Sequence, residues 1–215
     1  MDAPRDDADG PVGPDLLRLG AIVLAGGTAV RMDGVDKASI ELDGVTLLER
    51  ALAATMTAVE VVVVGDQVPT TRPVTWTTED PRSGGPAAGL LAGLDRFLRP
   101  PDLVAVLAVD MPRVSPGTFA RLLDAVGAAD GAQLTDRDGR VQPLCAVYRR
   151  TSLEAARPAS QEDEHGLSVQ RLLSTLDLVP VRAVDREAED VDTWSDLRSL
   201  RQRRGDPLGP GSEHI

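Results

Sequence analysis

Short apolar runs alternate along the chain with stretches whose apolar residues recur every three to four positions. Leu19 to Ala25 (LGAIVLA) is continuous and stops at Gly26-Gly27, which predicts a buried strand running into a loop. After Thr46, a residue suited to cap a helix, Leu47, Leu48, Ala51, Leu52 and Met56 follow at helical spacing. Val59 to Val64 (VEVVVV) is β-branched and predicts a second strand ending at Gly65, with Val74 to Thr77 as a short third. Leu90, Leu91, Leu94 and Leu98 predict a helix from Pro86 to Leu98, terminated by Pro100-Pro101. Leu103 to Val109 (LVAVLAV) reads as the most buried strand and ends at Asp110. Phe119, Leu122, Leu123 and Val126 predict a helix opened by Ser115-Pro116. Asp136 to Arg140 (DRDGR) predicts a hairpin turn between two short strands. Val169 to Leu176 reads as a short helix and Leu178 to Val184 as a strand. Thr193 then caps a last helix over Trp194 to Arg203.

Strands that are apolar throughout, each followed by an amphipathic helix, predict an α/β fold. The expected form is a Rossmann-like three-layer sandwich: a mostly parallel sheet with helices on both faces, joined by right-handed crossovers. In such sheets ligands bind outside the carboxyl ends of the strands. Residues 1–14 hold four Asp and three Pro, and residues 205–215 (GDPLGPGSEHI) have no burial pattern. Both read as disordered tails around a single domain of residues 15–204.

Composition narrows the function. With 42% hydrophobic residues in 215, the chain can bury a core. A net charge of −11 argues against a broad basic face for nucleic acid, but leaves room for one nucleotide in a local cationic pocket. Five aromatic residues (two Trp, two Phe, one Tyr) are too few for base-stacking platforms. A single cysteine, Cys145, excludes an intramolecular disulfide and a Cys-based zinc site, which suits a reduced, cytoplasmic compartment. Two histidines, His165 and His214, leave little room for Ser-His-Asp chemistry. No apolar run approaches the roughly 18 residues of a membrane span, and the acidic start is unlike a signal peptide.

The densest chemistry lies in Leu24 to Lys37 (LAGGTAVRMDGVDK), directly off the first strand. Adjacent glycines let backbone approach a ligand closely, and Arg31 and Lys37 add positive charge on the same loop. Converging donors of this kind suit a triphosphate better than a carboxylate. The spacing is neither Walker A nor G-x-G-x-x-G, so a P-loop ATPase and a dinucleotide-binding fold are disfavoured.

LAGG-x-x-x-R-M-x-G-x-D-K resembles the signature of the molybdenum cofactor guanylyltransferase (MobA-like) branch of the nucleotidyltransferases. Three further stretches match in order. EDPRSGGPAAGL (79–90) is similar to that family's Asp…Gly-Pro-x-x-Gly segment. LAVDMP (107–112) is similar to its metal-aspartate strand end, and DVDTWSDL (190–197) to its N-x-N-T-P-x-(D/E)-L segment. Together they span about residues 20–200.

The resemblance implies a fold of the nucleotide-diphospho-sugar transferase type. It also implies Mg²⁺-dependent transfer of GMP from GTP to molybdopterin cofactor, with release of pyrophosphate. Leu24, Ala25, Gly26 and Gly27 would contact the nucleotide, the glycines through their backbone. Arg31 would meet the β- and γ-phosphates, and Lys37 would neutralise the attacking and transferred phosphates. Asp80 would lie near base and ribose. Gly84, Pro86 and Gly89 would let a helix N-terminus approach the acceptor. Asp110 and Asp192 would hold the metal, with Lys37, Arg31 and Asp110 as the catalytic set. The implied partners are GTP, molybdopterin cofactor, and molybdoenzymes or other cofactor-pathway proteins; neither nucleic acid nor membrane is expected. The chemistry is self-consistent: Mg²⁺ takes one or two carboxylates plus phosphate oxygens. Charge neutralisation does most of the work, and no protein nucleophile is needed.

The chain departs from the family pattern at several positions. Asp190 and Asp192 stand where Asn is usual, Trp194 where Pro is, Gln142 where His often precedes Pro, and Asp33 where Gly is common. Asp in the last segment is found in related cytidylyltransferases, whereas Gly26 favours the guanylyl branch. A CTP-using molybdopterin cytidylyltransferase and a sugar-phosphate nucleotidylyltransferase therefore remain as alternatives, and a nucleotide-binding accessory protein as the non-enzyme reading. Bland roles are expected elsewhere. Cys145 should be core, His165 solvent-facing, and Trp194 packing for the last helix.

Overall fold

The computed structural model describes residues 17–26, 36–80, 82 and 84–202. Both predicted tails, Gly27, Arg31 and Arg203 lie outside the described residues.

The central sheet is built from β1 (Leu19–Leu24), β4 (Glu60–Val64), β5 (Thr75–Thr77), β6 (Leu103–Ala108), β7 (Gly131–Thr135), β8 (Val141–Arg149) and β9 (Leu178–Arg182). Their order is β5-β4-β1-β6-β8-β7-β9. β1 pairs in parallel with β4 and β6, β4 with β5, and β7 with β9, while β8 runs antiparallel to both β6 and β7. β8 is therefore the one reversed strand of this sheet, and it separates the predicted hairpin partner β7 from β6. A small ribbon, β2 (Glu41–Leu42) with β3 (Val45–Thr46), leads into α1 (Leu47–Ala54).

Alternation along each strand sends side chains to two separate cores. Ala21 and Val23 of β1 join Val61, Val63, Ala105 and Leu107 against α1, α3 (Pro116–Val126) and α6 (Trp194–Gln202). Ile22 and Leu24 join Val104 and Val106 on the other face, against α2 (Pro86–Leu94), α4 (Arg150–Ala156) and α5 (Val169–Leu172). The expected three layers are present. No helix among the described residues is long and apolar enough to cross a membrane.

The predicted caps form. Thr46 accepts from the Glu49 N–H, and Ser115 and Thr118 make a reciprocal capping box with Pro116 at the first position of α3. Three predicted helices are shorter than their apolar periodicity suggested. α1 stops at Ala54, leaving Met56 65% exposed. α2 stops at Leu94, because the Glu60 carboxylate accepts the N–H groups of Leu98 and Arg99 and draws the chain out of the helix. Leu98 is left exposed. α5 covers only Val169–Leu172. α4 has no counterpart in the sequence expectations.

Candidate active site

Lys37 begins a 3-10 turn (Lys37–Ser39) whose cap is Asp36. The Asp36 carboxylate accepts from the Ala38 N–H at 3.1 Å and from the Ser39 hydroxyl at 2.9 Å. This turn aims the lysine across the carboxyl ends of β1 and β6. Its Nζ donates to Asp110 Oδ2 at 2.9 Å and to Asp192 Oδ1 at 2.7 Å.

Asp110 lies just past β6, where the Val109 N–H donates to the Leu24 carbonyl and the Met111 N–H to the Ala108 carbonyl. Asp192 arrives from the other end of the chain, on the segment between β9 and α6. The Val191 N–H donates to the Asp110 carbonyl at 2.9 Å, and the Val191 side chain is fully buried. This backbone bond ties the Asp192 segment to the Asp110 loop.

The site is graded in exposure. The Lys37 side chain is 16% exposed, that of Asp110 24% and that of Asp192 46%, so the carboxylates open towards solvent while the ammonium sits beneath them. Burial by itself would lower the Lys37 pKa. The hydrogen bonds and charges of Asp192 and Asp110 outweigh it and hold the pKa above its ordinary value of 10.5. Asp190 stands nearby. Burial, then the negative charges of Asp192 and Asp110, push its carboxyl above the ordinary value, opposed by Lys37.

The structure also locates the other expected residues. Leu24 and Ala25 are buried, with their side chains in opposite cores. The Ala25 and Gly26 N–H groups both donate to the Val64 carbonyl at 2.8 Å, where Gly65 passes too close to them for any Cβ of its own. Asp80 is exposed, and its backbone carbonyl accepts from Gln161 Nε2. Gly84 is tied to Gly166 by a backbone bond of 2.8 Å. Gly85 has φ of 91° and caps α2 ahead of Pro86. Gly89 faces Leu24 and Val64, so its bare backbone lies against the sheet. Lys37, Asp110 and Asp192 therefore form one cluster, whereas Asp80 and Gly84 are tied instead to the 161–166 segment.

Two supporting residues were not anticipated. Asp36 orients the lysine turn. Asp196 accepts from the Asp192 and Thr193 N–H groups and from the Thr193 hydroxyl, while Thr193 accepts from the Asp196 N–H. The T-x-x-D pattern of 193–196 carried that signal in the sequence. Leu197 and Leu200 anchor α6 in the core, and Trp194 at its start is 36% exposed. Beside Asp190 and Asp196 opens a polar cleft of about 550 Å³, walled by the β7–β8 hairpin (Arg137, Arg140) and by Arg186.

Two carboxylate oxygens held apart by an ammonium form a hard donor set with a cation already between them, which fits a divalent ion of the Mg²⁺ class. Among the described residues no group of three or more metal-type side chains forms, so phosphate or water oxygens would complete the shell. Such a site can bind a polyphosphate and stabilise charge developing on it.

Residues 21–179 match the MobA-like NTP transferase domain. A probable molybdenum cofactor guanylyltransferase of Opitutus terrae is 34% identical over 163 residues, 74% of this chain and 79% of that protein. A phosphoenolpyruvate guanylyltransferase of Streptomyces scabiei is 37% identical over 161 residues, 69% of this chain and 71% of that protein. Among solved structures, molybdopterin-guanine dinucleotide biosynthesis protein A from Archaeoglobus fulgidus has the same fold. It aligns with a TM-score of 0.67 at 20% identity, over 86% of this chain and 98% of that one.

Proposed function

The chain belongs to the MobA-like NTP transferase family, and on that premise we propose that it transfers GMP from GTP to molybdopterin cofactor, releasing pyrophosphate. The observation that carries this reading is the Lys37 bridge between Asp110 and Asp192, assembled at the carboxyl ends of β1 and β6. The relatives named as guanylyltransferases support GTP as donor.

The terminal phosphate oxygen of the acceptor attacks the α-phosphorus of GTP. The bond from that phosphorus to the bridging oxygen breaks, and pyrophosphate leaves with the electron pair. The attacking phosphate is already ionised near neutral pH, so no general base is required. Lys37 lends its charge to the phosphates as they approach, released from ion pairs that hold it pointed at the reacting centre. Asp110 and Asp192 would hold Mg²⁺, which supplies further positive charge to the α-phosphate and the leaving group. Gly84 and Pro86 at the start of α2 would receive the acceptor, and Asp80 would contact base and ribose.

A second acceptor is favoured by one finding. The Streptomyces scabiei relative is named for phosphoenolpyruvate, another phosphate that can attack in the same way. The deciding experiment titrates GTP, CTP, ATP and UTP with and without Mg²⁺. It then follows pyrophosphate release with molybdopterin cofactor and with phosphoenolpyruvate. We expect selective GTP binding, release with molybdopterin cofactor, and loss of release in Asp110→Ala. Preference for CTP would overturn the guanylyl reading. GTP-dependent release with phosphoenolpyruvate alone would replace the acceptor. Binding without release with either acceptor would favour an accessory protein.

A further inference from the structure

The segment from Ala183 to Thr193 carries Asp192 over the top of the sheet without regular secondary structure of its own. Its course is set by a few anchors. At the start, the Ala183 N–H donates to the Thr135 carbonyl at 2.8 Å. At the end, Val191 is bonded to the Asp110 carbonyl, and Asp196 gathers the amides of Asp192 and Thr193.

Between these ends stands Glu187, whose side chain is only 13% exposed. One carboxylate oxygen accepts from the Thr118 hydroxyl at 2.8 Å. The other accepts from the Val184 N–H at 3.0 Å and from the Arg121 guanidinium. Thr118 is fully buried in the first turn of α3, where its hydroxyl oxygen also accepts from the Ser115 N–H at 3.1 Å. Ser115 closes the loop that begins at Asp110. One hydroxyl thus joins the Asp110 loop, which donates to it, to the Asp192 segment, to which it donates. The Glu187 charge also sits at the positive end of α3, with Arg121 beside it.

We propose that Glu187, acting through Thr118, is a positioning residue that fixes the separation of Asp110 and Asp192 and so sets the affinity of the site for its metal. This rests on the reading of Asp110 and Asp192 as metal-side carboxylates. Residues that orient a ligand commonly change metal affinity by roughly 10- to 100-fold when removed. Glu187 touches neither metal-side carboxylate nor phosphate, yet it is the one acidic side chain described that ties α3 to this segment through both oxygens.

The test uses the full chain and four proteins: wild type, Glu187→Ala, Glu187→Gln and Thr118→Val. Three quantities are read: thermal midpoint, Mn²⁺ affinity by paramagnetic resonance in the presence of GTP, and amide hydrogen exchange of Val191 relative to Leu107 in β6. Glu187→Ala should weaken Mn²⁺ binding about 10-fold and speed Val191 exchange while Leu107 is unchanged. Glu187→Gln, which keeps an acceptor for Thr118, should recover most of both. Thr118→Val removes the hydroxyl with little change in shape, and should reproduce the alanine effect even if Glu187→Ala does not fold. A lowered thermal midpoint with Mn²⁺ affinity within twofold of wild type, and Val191 slowed or quickened no more than Leu107, would overturn the proposal. Were wild type to bind no Mn²⁺ with GTP, the metal reading would fail by itself. The Val191 exchange would then decide the positioning claim: selective quickening sustains it, and no change ends it.

Discussion

Helix α2 turns two glycines towards the sheet, and their contrast gives a sharp test of the packing. A Cβ at Gly93 would stand 2.7 Å from Ile22 Cγ2 and 3.1 Å from Val64 Cγ2. Ile22 is fully buried in β1, which is paired on both sides, so it cannot give way cheaply. One turn earlier, a Cβ at Gly89 would meet Leu24 Cδ2 at 3.5 Å and Val64 Cγ1 at 3.6 Å, which is ordinary contact. Alanine in place of glycine gains about 1 kcal/mol in a helix interior, whereas overpacking a core costs about 1–3 kcal/mol. Gly93→Ala should therefore be destabilised by about 1 kcal/mol net, and Gly89→Ala stabilised by up to about 1 kcal/mol. In thermal unfolding the two variants should move in opposite directions, by about 2–4 °C each. A methyl at Gly89 would point at Leu24 and Val64 in the core, so Gly89→Ala should leave KM for acceptor unchanged. A Gly93→Ala protein as stable as wild type, or a destabilised Gly89→Ala, would refute the packing argument.

Lys37→Ala should lower kcat by about 100-fold with little change in KM for GTP, as expected for charge felt mainly in the transition state; a change in KM alone would make Lys37 a ground-state binder. The Thr193 hydroxyl first, and the backbone amides of Thr193 and Asp192 with it, hold the Asp196 carboxyl below its ordinary value of 3.8. The unfolded chain therefore binds that proton more readily. The stabilisation is present above the ordinary value and lost as pH falls through the lower folded one. Acid unfolding should show wild type more stable than Asp196→Asn above that window, with the gap closing within it; a constant gap would count against the capping role. Cys145 is fully buried, and burial drives its thiol far above the ordinary range. A thiol reagent should label the native protein no faster than global unfolding allows, and rapid labelling would show that β8 opens locally.

Local pattern was enough for the strands that end at Leu24, Val64 and Ala108, for the Thr46 and Ser115-Pro116 helix starts, for the hairpin at 136–140 and for the burial of Cys145. Each depends on which residues a short segment can bury or cap, and that is written in consecutive positions. The ordered motifs likewise single out Lys37, Asp110 and Asp192. What the tertiary structure alone decided lies between distant segments. α2 ends at Leu94 because Glu60, on a strand 38 residues away, takes the Leu98 amide. The Gly26 amide is spent on Val64, since parallel pairing brings β4 alongside β1. The lysine meets its two aspartates across 73 and 155 residues of chain, through the Val191 bond to Asp110 and the Glu187 anchor. Periodicity reports the face that a segment buries. Which groups then meet depends on strand order and on hydrogen bonds made only after those faces have packed.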